Sequence, residues 1–168
     1  PEFTFEDGLR AEYLGVLIGG HAIVEPSKLP TSAKAGDPRK LSTDIVGVNA
    51  SFSGGGGGAV VSRNLKEAIE TVEPGVHQFF PMALKQRDGT PFPGEFHLLR
   101  VRRVFPCVLF RESDHQPLGS VKVEPDVGKP IYRCHDTGLV ISRPAMSGHH
   151  LFSTSIVSGG YTIMSDAM

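Results

Sequence analysis

A chain of 168 residues with 39% hydrophobic and 21% charged side chains has the length for one domain and the apolar material for a core, which excludes compositional disorder. Its 17 Lys and Arg against 18 Asp and Glu leave a net charge of −1. Both the basic excess of a phosphate-held nucleic-acid binder and the acidic excess of a DNA mimic are therefore missing. Gly 20 and Pro 13 favour short strands and turns over long helices.

Pro1-Glu2-Phe3 reads as a vector-encoded linker and is set aside. Leu14 to Ile23 is apolar, but Gly19, Gly20 and His21 interrupt it and no basic flank precedes it. It is also shorter than the roughly 20 residues of a membrane span, so neither a secretory leader nor membrane association is expected. Residues 10–24 are expected to form one strand or two short ones. From Glu25 to Lys40, Pro26, Pro30 and Pro38 punctuate a stretch expected to be a long mobile loop. Residues 4–41 thus form an N-terminal segment, and 42–168 a single domain. Asp44 to Phe52 alternates as a strand and leads to five glycines, Gly54 to Gly58.

The spacing predicts a helix over 62–73. Ser62 is placed to cap it, Leu65, Ala68, Ile69 and Val72 form one apolar stripe, and Pro74-Gly75 stops it. Lys66 and Glu70 stand four apart in the weaker order for pairing. The rest reads as strands. Val76 to Leu84 comes first, followed by a hairpin signal at Arg87-Asp88-Gly89-Thr90-Pro91. Glu95 to Phe110 is expected as strand, bend near Pro106, strand. Leu118–Val123, Ile131–Cys134, Leu139–Ser142, His150–Thr154 and Tyr161–Met164 are short candidates. No strand–helix alternation of the parallel kind occurs. The expected class is α+β, a mostly antiparallel sheet with one amphipathic helix packed on it.

Chemistry is hard to find in the motifs. The glycine run lacks the Lys-Ser/Thr of a phosphate loop, and Ala59-Val60-Val61 separates it from the helix, so it reads as a flexible connection between two strands. Cys134-His135 and His149-His150 are adjacent pairs whose members face opposite ways on a strand, and zinc spacings are absent; no metal and no cofactor are expected. Cys107 sits in an apolar run as a core residue, and two cysteines make no disulfide framework, which suits the cytoplasm. No Gly-x-Ser-x-Gly elbow occurs, so no catalytic residue is assigned. In Arg100-Val101-Arg102-Arg103, strand alternation puts Arg100 and Arg102 on one solvated face.

One pattern is more specific. Val60-Val61-Ser62, then Leu65 to Val72, then Gly75 to Pro81 resembles the strand, amphipathic helix and Gly-Val-x-Phe-Phe-Pro strand of the eleventh immunity family of bacterial polymorphic toxins. Gly94-Glu95-Phe96-His97-Leu98-Leu99-Arg100-Val101 is similar to that family's next strand. Gly148-His149-His150-Leu151-Phe152 and Tyr161 to Asp166 are similar to its ending. The resemblance covers residues 42–168. It departs in the glycine run, in residues 1–41, and in stopping at Met168 where relatives continue into a helix, which reads as a truncation.

The resemblance implies a cytoplasmic antitoxin that binds a cognate toxin or effector encoded by a neighbouring gene. Toxins of this kind are delivered by contact-dependent or type VI secretion. It implies no enzymatic activity and carries over no contact residues. Expected contact sites come from the sequence instead: the Arg100 and Arg102 face, the turn bearing Phe92, His149 and His150, and the loops. A homodimer is compatible with the near-neutral charge. The alternatives are a structural or regulatory interaction domain without a toxin partner, and an enzyme using His149 or His150 with an acid.

Overall fold

The computed structural model describes residues 3–6, 23, 25–35, 44–48, 58–105, 107–109, 115–120, 130–134, 140–154 and 162–164. The strands expected over 10–24 fall almost entirely outside these residues, as do Gly54 to Gly57.

Alternation of apolar and polar side chains builds the central element. On β1 (Phe3–Phe5) and β2 (Ser32–Ala35) the inward residues are Phe5, Ala33 and Ala35. β3 (Ile45–Val48) pairs antiparallel with β4 (Gly58–Ser62), which contributes Val60. β5 (Gln78–Lys85) turns Phe80, Met82 and Leu84 inward, and β6 (Phe96–Arg100) does the same with Phe96 and Leu98. These six strands close into a barrel in the order β1-β2-β5-β6-β4-β3. Side chains of unequal size fill so small a barrel, and the alanines of β2 share one cluster with Phe80 and Phe96. β1/β3 and β2/β5 pair in parallel and the other four contacts are antiparallel. The chain is thus α+β with mostly antiparallel pairing.

The helix α1 spans Arg63–Val72. Ser62 Oγ accepts the Leu65 N–H at 3.2 Å, and Gly75, at φ +68°, takes the left-handed conformation that turns the chain after the helix. Arg63 pairs with Glu67 at 2.8 Å and with Glu95 at 3.5 Å, both water-screened, and Lys66 lies over the Phe79 ring. Ile69, with 0% exposure, packs with Val61, Leu99 and Leu151, flanked by Leu65, Phe79 and Val101. Val61 and Leu99 alternate with the inward Val60 and Leu98, so α1 covers the outside of the barrel.

A second sheet has the order β11-β10-β7, from Thr162–Met164, Leu151–Thr154 and Val104–Phe105. β8 (His115–Ser120) pairs antiparallel with β9 (Pro130–Cys134), with an irregularity between Pro117 and Gly119. The hairpin expected at Asp88-Gly89 is present: the Asp88 carboxylate accepts the Thr90 N–H at 2.9 Å and its hydroxyl at 2.7 Å, and Gly89 has φ +92°.

Three expectations change. Within the expected loop 25–40, a 3-10 turn (Pro26–Lys28) leads into β2, because Ser-Ala-Lys-Ala offers small inward residues beside bulky neighbours. The break in the stretch 95–110 lies at Val101–Arg103, earlier than Pro106, because the Arg102 N–H donates to His77 Nδ1 and not to a neighbouring strand. Of Leu139–Ser142, Ile141 bridges Val108, and Ser142 caps a one-turn helix α2 (Arg143–Met146). Among the described residues no helix is long and apolar enough to cross a membrane.

Because Ile69 is the fully buried centre of the outer core, Ile69→Ala should destabilise the protein by about 2–5 kcal/mol, read as a lower urea midpoint with unchanged slope.

Candidate functional site

Pro74-Gly75 ends α1 and leaves Glu73 as its C-terminal cap, its N–H donating to the Ile69 carbonyl at 2.8 Å. A carboxylate there faces the negative end of the helix dipole, and the Glu73 side chain is only 3% exposed. Three hydrogen-bond donors and one guanidinium compensate. Oε2 accepts His77 Nε2–H at 2.8 Å and the Leu151 N–H at 3.1 Å, while Oε1 accepts the His150 N–H at 3.0 Å and forms an ion pair with Arg103 Nη1 at 3.3 Å. Burial pushes the Glu73 carboxyl up, but the hydrogen bonds from His77 and His150 and the Arg103 charge outweigh it. The group is held below the usual glutamate range.

His77 has no exposed side-chain surface and sits four residues after Glu73, where the chain enters β5. Its Nδ1 accepts the Arg102 N–H at 3.3 Å, so the ring proton resides on Nε2. Arg103 also reaches His149 Nδ1. One buried acid therefore joins the end of α1, the entry to β5, the connection 101–103 and the entry to β10.

The expected contact residues separate into two groups. Arg100 shares the inward parity of Phe96 and Leu98 and is 5% exposed, so the solvated face expected for Arg100 and Arg102 does not form. Arg102 lies beyond the strand, half-buried. Phe92 packs on the barrel core and meets Phe96 edge-to-face at 6.0 Å. His149 and His150 are half-buried and gather with Arg103 around Glu73. The two residues that organise this centre, Glu73 and His77, were not singled out from the sequence. Their one signal was an acid at the wrong end of a helix, with a histidine four residues on.

Cys107 is buried as expected, and burial pushes its thiol up, away from the reactive thiolate. Burial and the Lys66 charge push the His97 imidazole down. Among the described residues, no three His, Cys, Asp or Glu side chains are grouped to hold a metal ion.

These features define an α+β domain whose concentrated polar cluster fastens one part of the fold to another. The chain belongs to the immunity protein family Imm11, whose sequence profile matches residues 24–168. The match begins ahead of residue 42, where the motif resemblance starts, and so takes in β2, a stave of the barrel. No curated protein matches the chain.

Removing the charge of Glu73 should be severe. In Glu73→Gln an amide N–H₂ faces groups that are themselves donors, and a loss of about 3–5 kcal/mol is expected in urea unfolding. The pH dependence follows from the lowered folded-state value. The Glu73 contribution is complete above the ordinary glutamate range, about 4.3, and is lost as pH falls below it. The stability of Glu73→Gln should accordingly fall less steeply on acidification through that range.

Proposed function

We propose that the protein is an antitoxin that neutralises a cognate bacterial toxin by stoichiometric binding. The observation that carries this reading is the family match over residues 24–168, which takes in most of the barrel and the second sheet. The toxin is an effector from a neighbouring gene, reaching the cell by contact-dependent or type VI delivery, and the complex forms in the cytoplasm. Its interface is of standard size, about 1,600 Å² in total. Arg102, His149 and His150 are the expected contact residues that retain exposed surface at one place in the fold. They form the centre of the proposed contact face, while Arg100 is buried and Phe92 packs against the barrel core.

The enzymatic alternative needs an acid beside His149 or His150. The acid nearest those residues in the hydrogen-bonding network is Glu73, whose two oxygens already accept three hydrogen bonds and pair with Arg103 within the fold. That arrangement favours a structural role for the cluster over proton transfer.

Co-expression with the protein encoded next to this gene tests the reading. Survival of cells that the neighbour alone would kill, with recovery of a stoichiometric complex, is the expected result. A harmless neighbour that never co-purifies would remove the proposal.

A further inference from the structure

The hydrogen-bond direction at His77 has a chemical corollary. The ring uses Nε2–H toward Glu73 and the Nδ1 lone pair toward the Arg102 N–H, so a second proton can enter only at Nδ1. We propose that His77 is a proton-operated latch on the connection Val101–Arg103: protonation at Nδ1 detaches that connection, while Glu73 keeps its hold on His150 and Leu151.

Two effects act on the same three residues. A protonated Nδ1 sets one donor against another, because the Arg102 backbone N–H cannot accept. The new positive charge also faces Arg103, which shares the Glu73 carboxylate with His77. Repulsion between imidazolium and guanidinium therefore pushes the connection in the direction already favoured by the lost hydrogen bond.

The opposite side of the ring tightens. Imidazolium attracts the carboxylate more strongly than neutral imidazole does, and Glu73 remains ionised through the range in which histidines titrate, being held below the usual glutamate value. Among the described residues, the charged and titratable groups in this cluster are Glu73 at the end of α1, Arg102 and Arg103 on the connection, and His149 and His150 at the entry to β10.

Val101 keeps its packing on the outer core, so the part of the connection that gives way is Arg102–Arg103. The connection joins β6 of the barrel to β7 of the second sheet, and its backbone lies outside every strand ladder. Opening it loosens the link between barrel and second sheet on the β7 side. The β10 side stays anchored through Leu151, whose side chain packs in the outer core and whose N–H holds Glu73.

Amide hydrogen exchange of the full chain, corrected for intrinsic rates, tests this between about pH 7.5 and 5.5, within the range where imidazoles titrate. Protection of the Arg102 amide should fall by about tenfold per pH unit at most, the limit for uptake of one proton, and by about tenfold or more across the range. The His150 and Leu151 amides should keep their protection. Constant protection at Arg102, or a parallel loss at all three amides, would overturn the latch. In His77→Asn the side-chain oxygen occupies the position of Nδ1 without titrating, and Arg102 protection should become independent of pH; a surviving pH slope would assign the effect to another group and also overturn it. Ring ¹⁵N shifts of His77 in the unaltered protein give a reading that needs no variant. The Nε2–H tautomer is expected at neutral pH, and the Nδ1–H tautomer would sink the proposal.

Discussion

Taking a carboxylate out of water costs several kcal/mol unless its lone pairs are used, and the end of a helix is the least favourable place to do it. Glu73 meets that cost with three hydrogen bonds and one ion pair, from His77 four residues on, from Arg103, and from His150 and Leu151 far along the chain. The arrangement is unforgiving: the barrel, the helix on its flank and the second sheet must all reach their places before the acid is satisfied. A hydrophobic group at the same position would tolerate small slips of one part against another, whereas three directional bonds and an ion pair do not. Cohesion comes from the two apolar clusters, and this one side chain adds directional ties between the parts that the clusters join.

The two clusters divide the strands between them. β4 and β6 each present one set of residues to the barrel interior and the alternate set to the helix, so Val60 and Leu98 serve one core while Val61 and Leu99 serve the other. A shift of either strand by one residue would exchange the two sets, and the two cores fix the register jointly. Leu151 extends the outer core to the second sheet, and its own N–H binds Glu73. Apolar packing and the buried acid thus meet at one residue.

What could be read from the sequence was local. The helix was legible because the Ser62 cap, the stripe through Ile69 and the Pro74-Gly75 stop all lie within one stretch. Asp88-Gly89 announced its turn for the same reason. Barrel closure was not legible, since it depends on β1 meeting both β2 and β3 and on β2 lying parallel to β5, pairings that no periodicity encodes. β2 was hidden among prolines and small polar residues that elsewhere make loops. Arg100 was misplaced because alternation tells which residues share a face but not which face is enclosed. The polar centre escaped because Glu73 gains its meaning from His150 and Leu151, far along the chain, although the misfit of an acid at a helix C-terminus was visible throughout. α2 carried a signal too, a Ser followed by an early Pro, in a segment whose apolar residues suggested a strand.

The separation between Glu73 and its backbone donors, 77 residues to His150 and 78 to Leu151, also sets an order of events during synthesis. A ribosome adding 5–20 residues per second needs roughly 4–16 s to make that span. Throughout that interval the helix can form while its acid has no donor from the β10 segment. The exposed outer face of the nascent barrel then carries an ionised, hydrated group at its edge, of the kind that discourages association between incomplete chains. The same charge acts first as a solubilising group on the growing polypeptide and later, once residue 151 has emerged, as the fastener of the finished fold.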